Sequence, residues 1–239
     1  MNSTTQKNIT IRRSDERGKA DHGWLVAKHS FSFADYYDPA HMAFRSLRVI
    51  NEDRVAPGKG FGTHPHSNME IFTYIISGKL EHKDSMGNGR IIEAGQFQYM
   101  SAGEGVMHSE LNPSPDEETH LLQIWITPRE RGGEPKYADM DTHKLKKKNN
   151  LTLFASADGR DSSISMRQDA EVHFGQLDGG QSLVIETNND LPHSWIQMIR
   201  GSVQIDGETI QTGDAASFSS NNQKIHSIED AEFILFQLS

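Results

Sequence analysis

The chain has 239 residues, a formal net charge of −9 and no cysteine. The absence of cysteine excludes disulfides, thiolate metal sites and cysteine nucleophiles, so any bound metal must use nitrogen and oxygen ligands. The acidic charge argues against direct nucleic-acid binding, and no apolar run approaches the roughly 18 residues of a membrane helix. We therefore expect a cytoplasmic protein with no membrane association.

The first half of the chain reads as a series of short strands separated by turns. The strand-length segments are rich in β-branched and aromatic residues, and between them lie turn sequences that contain Gly, Pro and Asn. Amphipathic segments of helical length are missing, which favours an antiparallel barrel or sandwich. The predicted strands of this half are Ser46 to Asn51, Met69 to Ile76, Gln96 to Met100 and His120 to Ile126.

A polar stretch divides this half from a second strand-rich half. Residues 131–150 contain Gly, Pro and a lysine run, which is the composition of an interdomain connection. We therefore predict an N-terminal domain over residues 1–130, a linker over 131–150 and a C-terminal domain over 151–239. Its predicted strands are Val172 to Leu177, Ser182 to Glu186, Ser194 to Arg200, Val203 to Ile205 and Phe233 to Leu238.

The two halves repeat each other in sequence. The segment Ile75–Glu81 resembles the segment Met198–Gln204, and 13 positions separate Gly95 from His108 just as 13 separate Gly213 from His226. A duplicated barrel accounts for this correspondence.

Two short motifs in the first half carry candidate metal ligands. His64 and His66 are separated by one residue, so a strand directs both imidazoles to the same face, and His108 and Glu110 repeat that spacing. Three imidazoles and one carboxylate suit Fe(II), with Cu, Ni, Mn, Co or Zn as alternatives. Four protein ligands leave positions open for a small molecule, as in a reactive metal site.

The motif around His64 and His66, with the later segment from Gly95 to Asn112, resembles the two cupin motifs, and in its specific form it resembles the pirin family. The resemblance extends to Arg17–Leu25 and His29–Pro39 and is strongest from about residue 10 to residue 130. It implies an all-β fold of two tandem cupin (jelly-roll) β-barrels, of which the N-terminal one binds metal. The pirin pattern assigns the fourth ligand to Glu110 and leaves Glu70 nearby.

The resemblance also implies a function. Bacterial pirins are associated with quercetin 2,3-dioxygenase activity, in which O2 opens the ring of a flavonol and carbon monoxide is released. Glu110, or alternatively Glu70, would accept the proton of the flavonol hydroxyl. Phe97, Tyr99 and Met100 are candidate wall residues of the substrate pocket. Two alternatives stay open, namely another small aromatic or enol substrate, and a non-enzymatic, metal-responsive regulator that acts through a protein partner.

The second half departs from the ligand pattern. Counting back from Gly201 by the spacing of the first half leads to Thr187 and Asn189 in place of the two histidines, and only His226 remains. We therefore expect a C-terminal barrel without metal. The remaining histidines have no partner at ligand spacing and are expected away from the site: His22, His29, His41, His82, His120, His143 and His173.

Overall fold

A computed structural model describes residues 9–141, 144–145, 147–186, 188–219 and 222–239. Among these residues there is no α-helix, and the regular structure consists of strands and one 3-10 turn at Arg160–Ser162. The predicted all-β class is therefore confirmed. In the same residues, no helix has the length and apolar content needed to cross a membrane.

The chain separates into two compact units. One unit, which we call the N-terminal barrel, comprises Arg17–Leu145 and Ala157–Gln168, and the other, the C-terminal barrel, comprises the described parts of Met1–Glu16, Lys146–Ser156 and Asp169–Ser239. The units therefore interleave along the chain more than the predicted domain boundaries imply. Part of the predicted linker is also regular structure, because Lys136–Asp141 is a strand.

The N-terminal barrel is built from two antiparallel sheets. Its strands are β2 (Gly18–Asp21), β3 (Leu25–His29), β4 (Leu47–Val55), β5 (Gly60–His66), β6 (Glu70–Ser77), β7 (Lys79–Asp84), β8 (Gly89–Glu93), β9 (Gln96–Ser101), β10 (Val106–Leu111), β11 (Thr119–Ile126) and β12 (Lys136–Asp141). One sheet has the order β12-β9-β6-β11-β4-β3-β2, and the other has the order β5-β10-β7-β8. The short strand β14 (Ile164–Ser165) belongs to the segment Ala157–Gln168.

The C-terminal barrel repeats this arrangement. Its strands are β1 (Ile9–Arg12), β13 (Asn150–Ser156), β15 (Ala170–Leu177), β16 (Ser182–Ile185), β17 (His193–Arg200), β18 (Ser202–Ile205), β19 (Glu208–Gln211), β20 (Ala215–Phe218), β21 (Gln223–Ser227) and β22 (Ala231–Leu238). One sheet contains the order β1-β20-β17-β22-β15-β13, and the second has the order β16-β21-β18-β19. The two strand orders match those of the N-terminal barrel from β9 to β3 and from β5 to β8.

Each predicted strand corresponds to an observed strand with shifted ends. The β-branched and aromatic residues that identified these strands are largely buried, and in β4 every second residue from Leu47 to Val55 is buried. Both histidine motifs lie on strands, β5 and β10, as the interpretation of their spacing required. Composition alone did not single out β5, because it is mostly solvent-accessible and contains two glycines.

A glycine permits the close approach of β5 to β10. A Cβ atom at Gly60 would lie 2.1 Å from the backbone oxygen of Glu110, so no larger residue fits without moving a strand. The two strands that carry the candidate ligands are thereby held in direct contact.

Candidate metal centre

Three imidazole rings converge where β5 pairs with β10. The antiparallel register places His64 directly opposite His108, and His66 opposite Val106. The Nε2 atoms of His64 and His108 are 3.0 Å apart, and the ring of His66 lies 4.8 Å from that of His64 and 4.9 Å from that of His108, measured between centroids. One nitrogen from each of the three rings lies within 4.8 Å of the other two. These three predicted ligands are therefore close enough to share one ion.

Glu110 lies beside this cluster and is held by two hydrogen bonds. Gln123 Nε2 donates to Glu110 Oε2 at 2.7 Å, and Thr73 Oγ1 donates to Glu110 Oε1 at 3.3 Å. A carboxylate oxygen of Glu110 lies within 4.8 Å of ligand nitrogens of His108 and His82, which form a second potential ligand group. His108 is thus shared between the two groups, and Glu110 approaches the histidine cluster from the His108 side.

His82 was expected away from the site, and this expectation is wrong. His82 is fully buried in β7 and stands opposite Glu110 in the strand register. Its Nε2 lies 3.1 Å from Asp84 Oδ2, and its Nδ1 lies 3.2 Å from Gln98 Nε2. Since both ring nitrogens have partners, His82 fits a role in holding its neighbours better than a role as a ligand.

The surroundings of His66 and His108 favour their neutral imidazole forms. Burial, and secondly the neighbouring His64, lower the pKa of His66 to about 4. Burial, and secondly the neighbouring histidines His64, His66 and His82, lower the pKa of His108 to about 3. Burial also raises the pKa of Glu110. Neutral imidazoles offer the lone pairs that a metal requires, and a cation would in turn stabilise the Glu110 carboxylate. The donor set therefore fits a divalent metal ion.

Glu70 occupies a different environment. Tyr99 Oη donates a short hydrogen bond to Glu70 Oε2, Ser101 Oγ donates to Glu70 Oε1 at 2.6 Å, and the backbone N–H of Arg167 donates to Oε2 at 3.0 Å. Glu70 is buried, and among the described residues it does not line the cavity next to the histidines. Its carboxylate therefore holds the backbone of Arg167 in place and does not belong to the cavity next to the histidines.

A cavity of about 500 Å³ opens beside the three histidines. The Trp125 ring lies edge-on to His66 with 4.9 Å between centroids, and Phe33 lies edge-on to Trp125 at 5.4 Å. Such aromatic walls suit a flat, apolar ligand. The residues that line the cavity and were not predicted as site residues include Phe33, Tyr36, Phe61, Trp125, Asn51, Asp53 and Gln123.

The three wall residues proposed from the sequence lie elsewhere. Phe97 packs on Tyr74 with 4.7 Å between ring centroids, Tyr99 holds Glu70, and Met100 belongs to a small core cluster with Ile71. All three are buried, and none lines the cavity in the described part of the chain. The prediction of these wall residues was wrong because an aromatic residue on a strand can face either side of the sheet, and the sequence does not show which side faces the cavity.

The other histidines divide into two sets. His41, His120 and His173 each pair with a nearby carboxylate, as expected of hydrogen-bonded residues. His22 and His29 line the cavity, contrary to expectation. His143 lies outside the described residues, and so does Thr187, one of the two positions counted from Gly201.

Part of the cavity lining could have been predicted from polar residues in the sequence of an otherwise apolar strand. Asn51 and Asp53 alternate along β4, whose core-facing neighbours include Val49 and Val55. A pair of polar side chains on the buried face of a strand indicates a polar interior or a cavity.

In the C-terminal barrel, His226 does not take the place of His108. The strand pairing puts His226 opposite Ser182, and Ser182 Oγ lies 3.0 Å from His226 Nδ1 in a solvent-exposed contact. Among the described residues of this barrel, no three His, Asp or Glu side chains come close enough to hold an ion.

Comparison with known proteins agrees with this architecture. Residues 10–126 match the family model for pirin, and residues 153–238 match the model for a quercetinase C-terminal cupin domain. The chain belongs to the pirin family. Its two barrels are cupin jelly rolls, which confirms the fold and the family expected from the sequence.

Individual relatives resemble the chain over nearly its full length. It is 45% identical over 231 residues to the quercetin 2,3-dioxygenase of Escherichia coli (strain K12), covering 96% of this chain and 98% of that protein. It is 39% identical to a pirin-like protein of Caulobacter vibrioides, covering 92% and 95% of the two chains. The crystal structure of the bacterial pirin YhhW from Escherichia coli in complex with nickel(II) superposes with a TM-score of 0.91 at 44% identity, covering 96% and 98%.

Proposed function

We propose that this pirin is a metal-dependent dioxygenase that uses O2 to open the ring of a flavonol of the quercetin type, with release of carbon monoxide. The observation that carries the proposal is the convergence of three imidazoles on one side of an aromatic cavity of about 500 Å³. The name of the Escherichia coli relative supports the choice of substrate class.

The proposed ligands are His64, His66, His108 and Glu110. The metal is a divalent transition ion, for which Fe(II) suits the donor set and Ni(II) is supported by the nickel complex of the related YhhW. Bound there with open coordination positions, such an ion supplies a Lewis acid for the oxygen atoms of the substrate.

The chain itself orients the substrate and excludes water. Phe61, Phe33 and Trp125 line the cavity and offer flat apolar surfaces to an aromatic ring system. Their burial of the substrate would remove water from the reacting centre and strengthen the electrostatic interactions there.

Glu110 is proposed to accept the proton of the flavonol hydroxyl. Its carboxylate lines the cavity, and burial raises its pKa, which makes it a better proton acceptor than an exposed carboxylate. Glu70, the alternative acceptor considered from the sequence, is not proposed for this role, because its two oxygens already accept three hydrogen bonds away from the cavity.

The proposal is tested by metal analysis and oxygen uptake on the same purified protein. We expect about one transition-metal ion per chain, oxygen consumption with quercetin, and carbon monoxide among the products. His64→Ala should lose both the metal and the activity. The matched control is His226→Ala, which removes a histidine from the solvent-exposed contact with Ser182 and should retain both.

Full oxygen uptake by metal-free protein, or by His64→Ala, would contradict the proposed function. Slow turnover of quercetin together with rapid turnover of another phenol or enol would support the metal-dependent dioxygenase activity but contradict the proposed substrate.

A further inference from the structure

One carboxyl group in the cavity has no role in the proposed metal site. Asp53 lies on β4, is 3% exposed and lines the cavity that the three histidines share. Its Oδ1 is buried and has no hydrogen-bond partner among the described residues. Buried polar atoms are normally paired, so a carboxyl group that lines a cavity and leaves a buried oxygen unpaired indicates a partner that binds there.

The polar neighbours of Asp53 are engaged elsewhere. Asn51, two positions earlier on the same face of β4, accepts a hydrogen bond at its Oδ1 from His29 Nδ1, 2.8 Å away. Gln123, which the register places opposite Asn51, donates to Glu110. Unlike Asn51 and Gln123, Asp53 therefore retains, within the described part of the chain, an unpaired carboxyl oxygen on the face of β4 that lines the cavity.

The nearest cation does not neutralise Asp53 by direct contact. Arg17 donates to Glu52 Oε2 at 2.7 Å and to the backbone oxygen of Lys28 at 3.0 Å. Glu52 follows Asn51 on the opposite face of the strand, so the guanidinium group is held on that side. Burial and the adjacent Glu110 raise the pKa of Asp53 to about 7. The surroundings of Asp53 thus disfavour its ionised form, and titratable groups in such unfavourable surroundings are common at functional sites.

We propose that Asp53 binds the substrate directly, with its carboxyl group accepting a hydrogen bond from a hydroxyl group of a planar aromatic ligand. This inference rests on the proposed function, because it takes a flavonol as the occupant of the cavity. It adds a specificity determinant: the cavity discriminates between a hydroxylated ring system and the same ring system without the hydroxyl.

The test measures binding without turnover. Metal-free protein is titrated at pH 8 with 7-hydroxyflavone, whose hydroxyl is not the one assigned to Glu110, and with flavone, which lacks the hydroxyl group, and the quenching of tryptophan fluorescence reports binding because Trp125 lines the cavity. We expect the wild-type protein to bind 7-hydroxyflavone about tenfold more tightly than flavone, since a hydrogen bond to a charged group is a strong one.

Asp53→Asn keeps the shape of the side chain and removes its charge. It should lose most of the tenfold preference, while its affinity for flavone stays unchanged, and Asp53→Ala should lose the preference as well. The matched control is Glu52→Gln, which removes the same charge one position away on the opposite face of β4 and should keep the wild-type preference.

The possible results separate the two proposals. Equal preference for 7-hydroxyflavone in wild type and Asp53→Asn would overturn the role of Asp53, whatever the activity of the metal-loaded enzyme. Loss of the preference in Asp53→Asn and its retention in Glu52→Gln support that role. Failure of metal-loaded wild-type protein to consume oxygen with quercetin would overturn the proposed function by a separate measurement.

Discussion

The two barrels share one strand order but fill their interiors with opposite chemistry. Gly78 and Gly201 directly follow the equivalent strands β6 and β17, and four positions later stand His82 in the N-terminal barrel and Ile205 in the C-terminal barrel. His82 pairs with Glu110 across β7 and β10, and Ile205 pairs with Ile225 across β18 and β21. Ile225 therefore occupies the place of the carboxylate that we propose as the fourth ligand.

The same correspondence extends to the histidines. His64 pairs with His108 across β5 and β10, and Ile185 pairs with Gln223 across β16 and β21. Ile185 thus stands where His64 stands, and it belongs to the apolar core of its barrel.

The position of Asp53, which lines the cavity in the N-terminal barrel, is occupied by a glycine in the C-terminal barrel. Leu121 faces Asp53 in the N-terminal barrel, and Phe233 faces Gly175 at the matching position of the C-terminal barrel. A Cβ atom at Gly175 would lie 2.2 Å from the Phe233 ring, so this ring occupies the space that a side chain would need. One barrel keeps a polar cavity at the expense of core packing, and the other uses the same space for packing.

The largest predicted effect comes from giving the C-terminal barrel a carboxylate. Ile225→Glu places a carboxyl group in a core whose nearest neighbours are apolar, with no donors equivalent to Thr73 and Gln123. We expect the free energy of unfolding to fall by about 4 kcal/mol or more at pH 7, because the buried charge is unpaired. Urea denaturation measures this change.

The control for this prediction is Ile228→Glu, because Ile228 is exposed and should tolerate the charge. A stability of Ile225→Glu equal to that of Ile228→Glu would show that the two interiors differ less than their residues indicate.

The second prediction concerns the anchoring of Glu70. Tyr99→Phe removes one donor from a buried carboxylate, and we expect the protein to lose about 3 kcal/mol of stability. Tyr37→Phe, at an exposed tyrosine, is the control and should change little. Oxygen uptake per metal-loaded, folded Tyr99→Phe molecule should stay at the wild-type level, and its loss would return Glu70 to the list of reacting groups.

The third prediction is a gain in stability. Burial raises the pKa of Asp53 to about 7, above the ordinary aspartate value of 3.8 that applies when the chain unfolds. The folded state therefore holds its proton more tightly, and the ionised side chain destabilises the fold increasingly as pH rises from about 4 to 7. Asp53→Asn should stabilise metal-free protein by about 2 kcal/mol at pH 8 and by less at pH 5.

Thermal unfolding at the two pH values would measure this gain. Destabilisation by Asp53→Asn at pH 8 would indicate that Asp53 holds the fold together, which would contradict its assignment to ligand binding.

The smallest effect is expected at the neighbouring carboxylate. Burial opposes ionisation of Glu52, but hydrogen bonds and charges from His120 and Arg17 outweigh it and lower the pKa of Glu52 to about 2. A lowered pKa contributes stability above the unfolded value of 4.5, and this contribution is lost as pH falls toward 2. Glu52→Gln should therefore cost about 1 kcal/mol at pH 6, and the difference from wild type should shrink at pH 3. A constant difference at both pH values would exclude this ion pair as its source.

Part of the fold and of the site could be predicted because it depends on local patterns. Segments rich in β-branched and aromatic residues revealed most long strands, and the one-residue spacing of His64 and His66 predicted their shared face. His82 and Asp53 were missed because their place depends on which strands pair and in which register, and that information is distributed over distant parts of the chain.

His226 shows how a local count can mislead. Both His108 and His226 follow a glycine by 13 positions, but the strand register places Gln223, only 10 positions after Gly213, at the site of His108. The C-terminal barrel therefore reaches the matching position three residues sooner after its glycine, and equal spacing in sequence leads to opposite faces of the sheet.

The central claim is that one barrel holds a single ion and the other holds none. A crystal of the nickel-loaded full chain, with anomalous diffraction data collected at the nickel absorption edge, tests it directly. The account predicts one peak per chain, about 2 Å from a ring nitrogen of each of His64, His66 and His108 and from an oxygen of Glu110. A peak in the C-terminal barrel, or a nickel ion bound without these side chains, would contradict it.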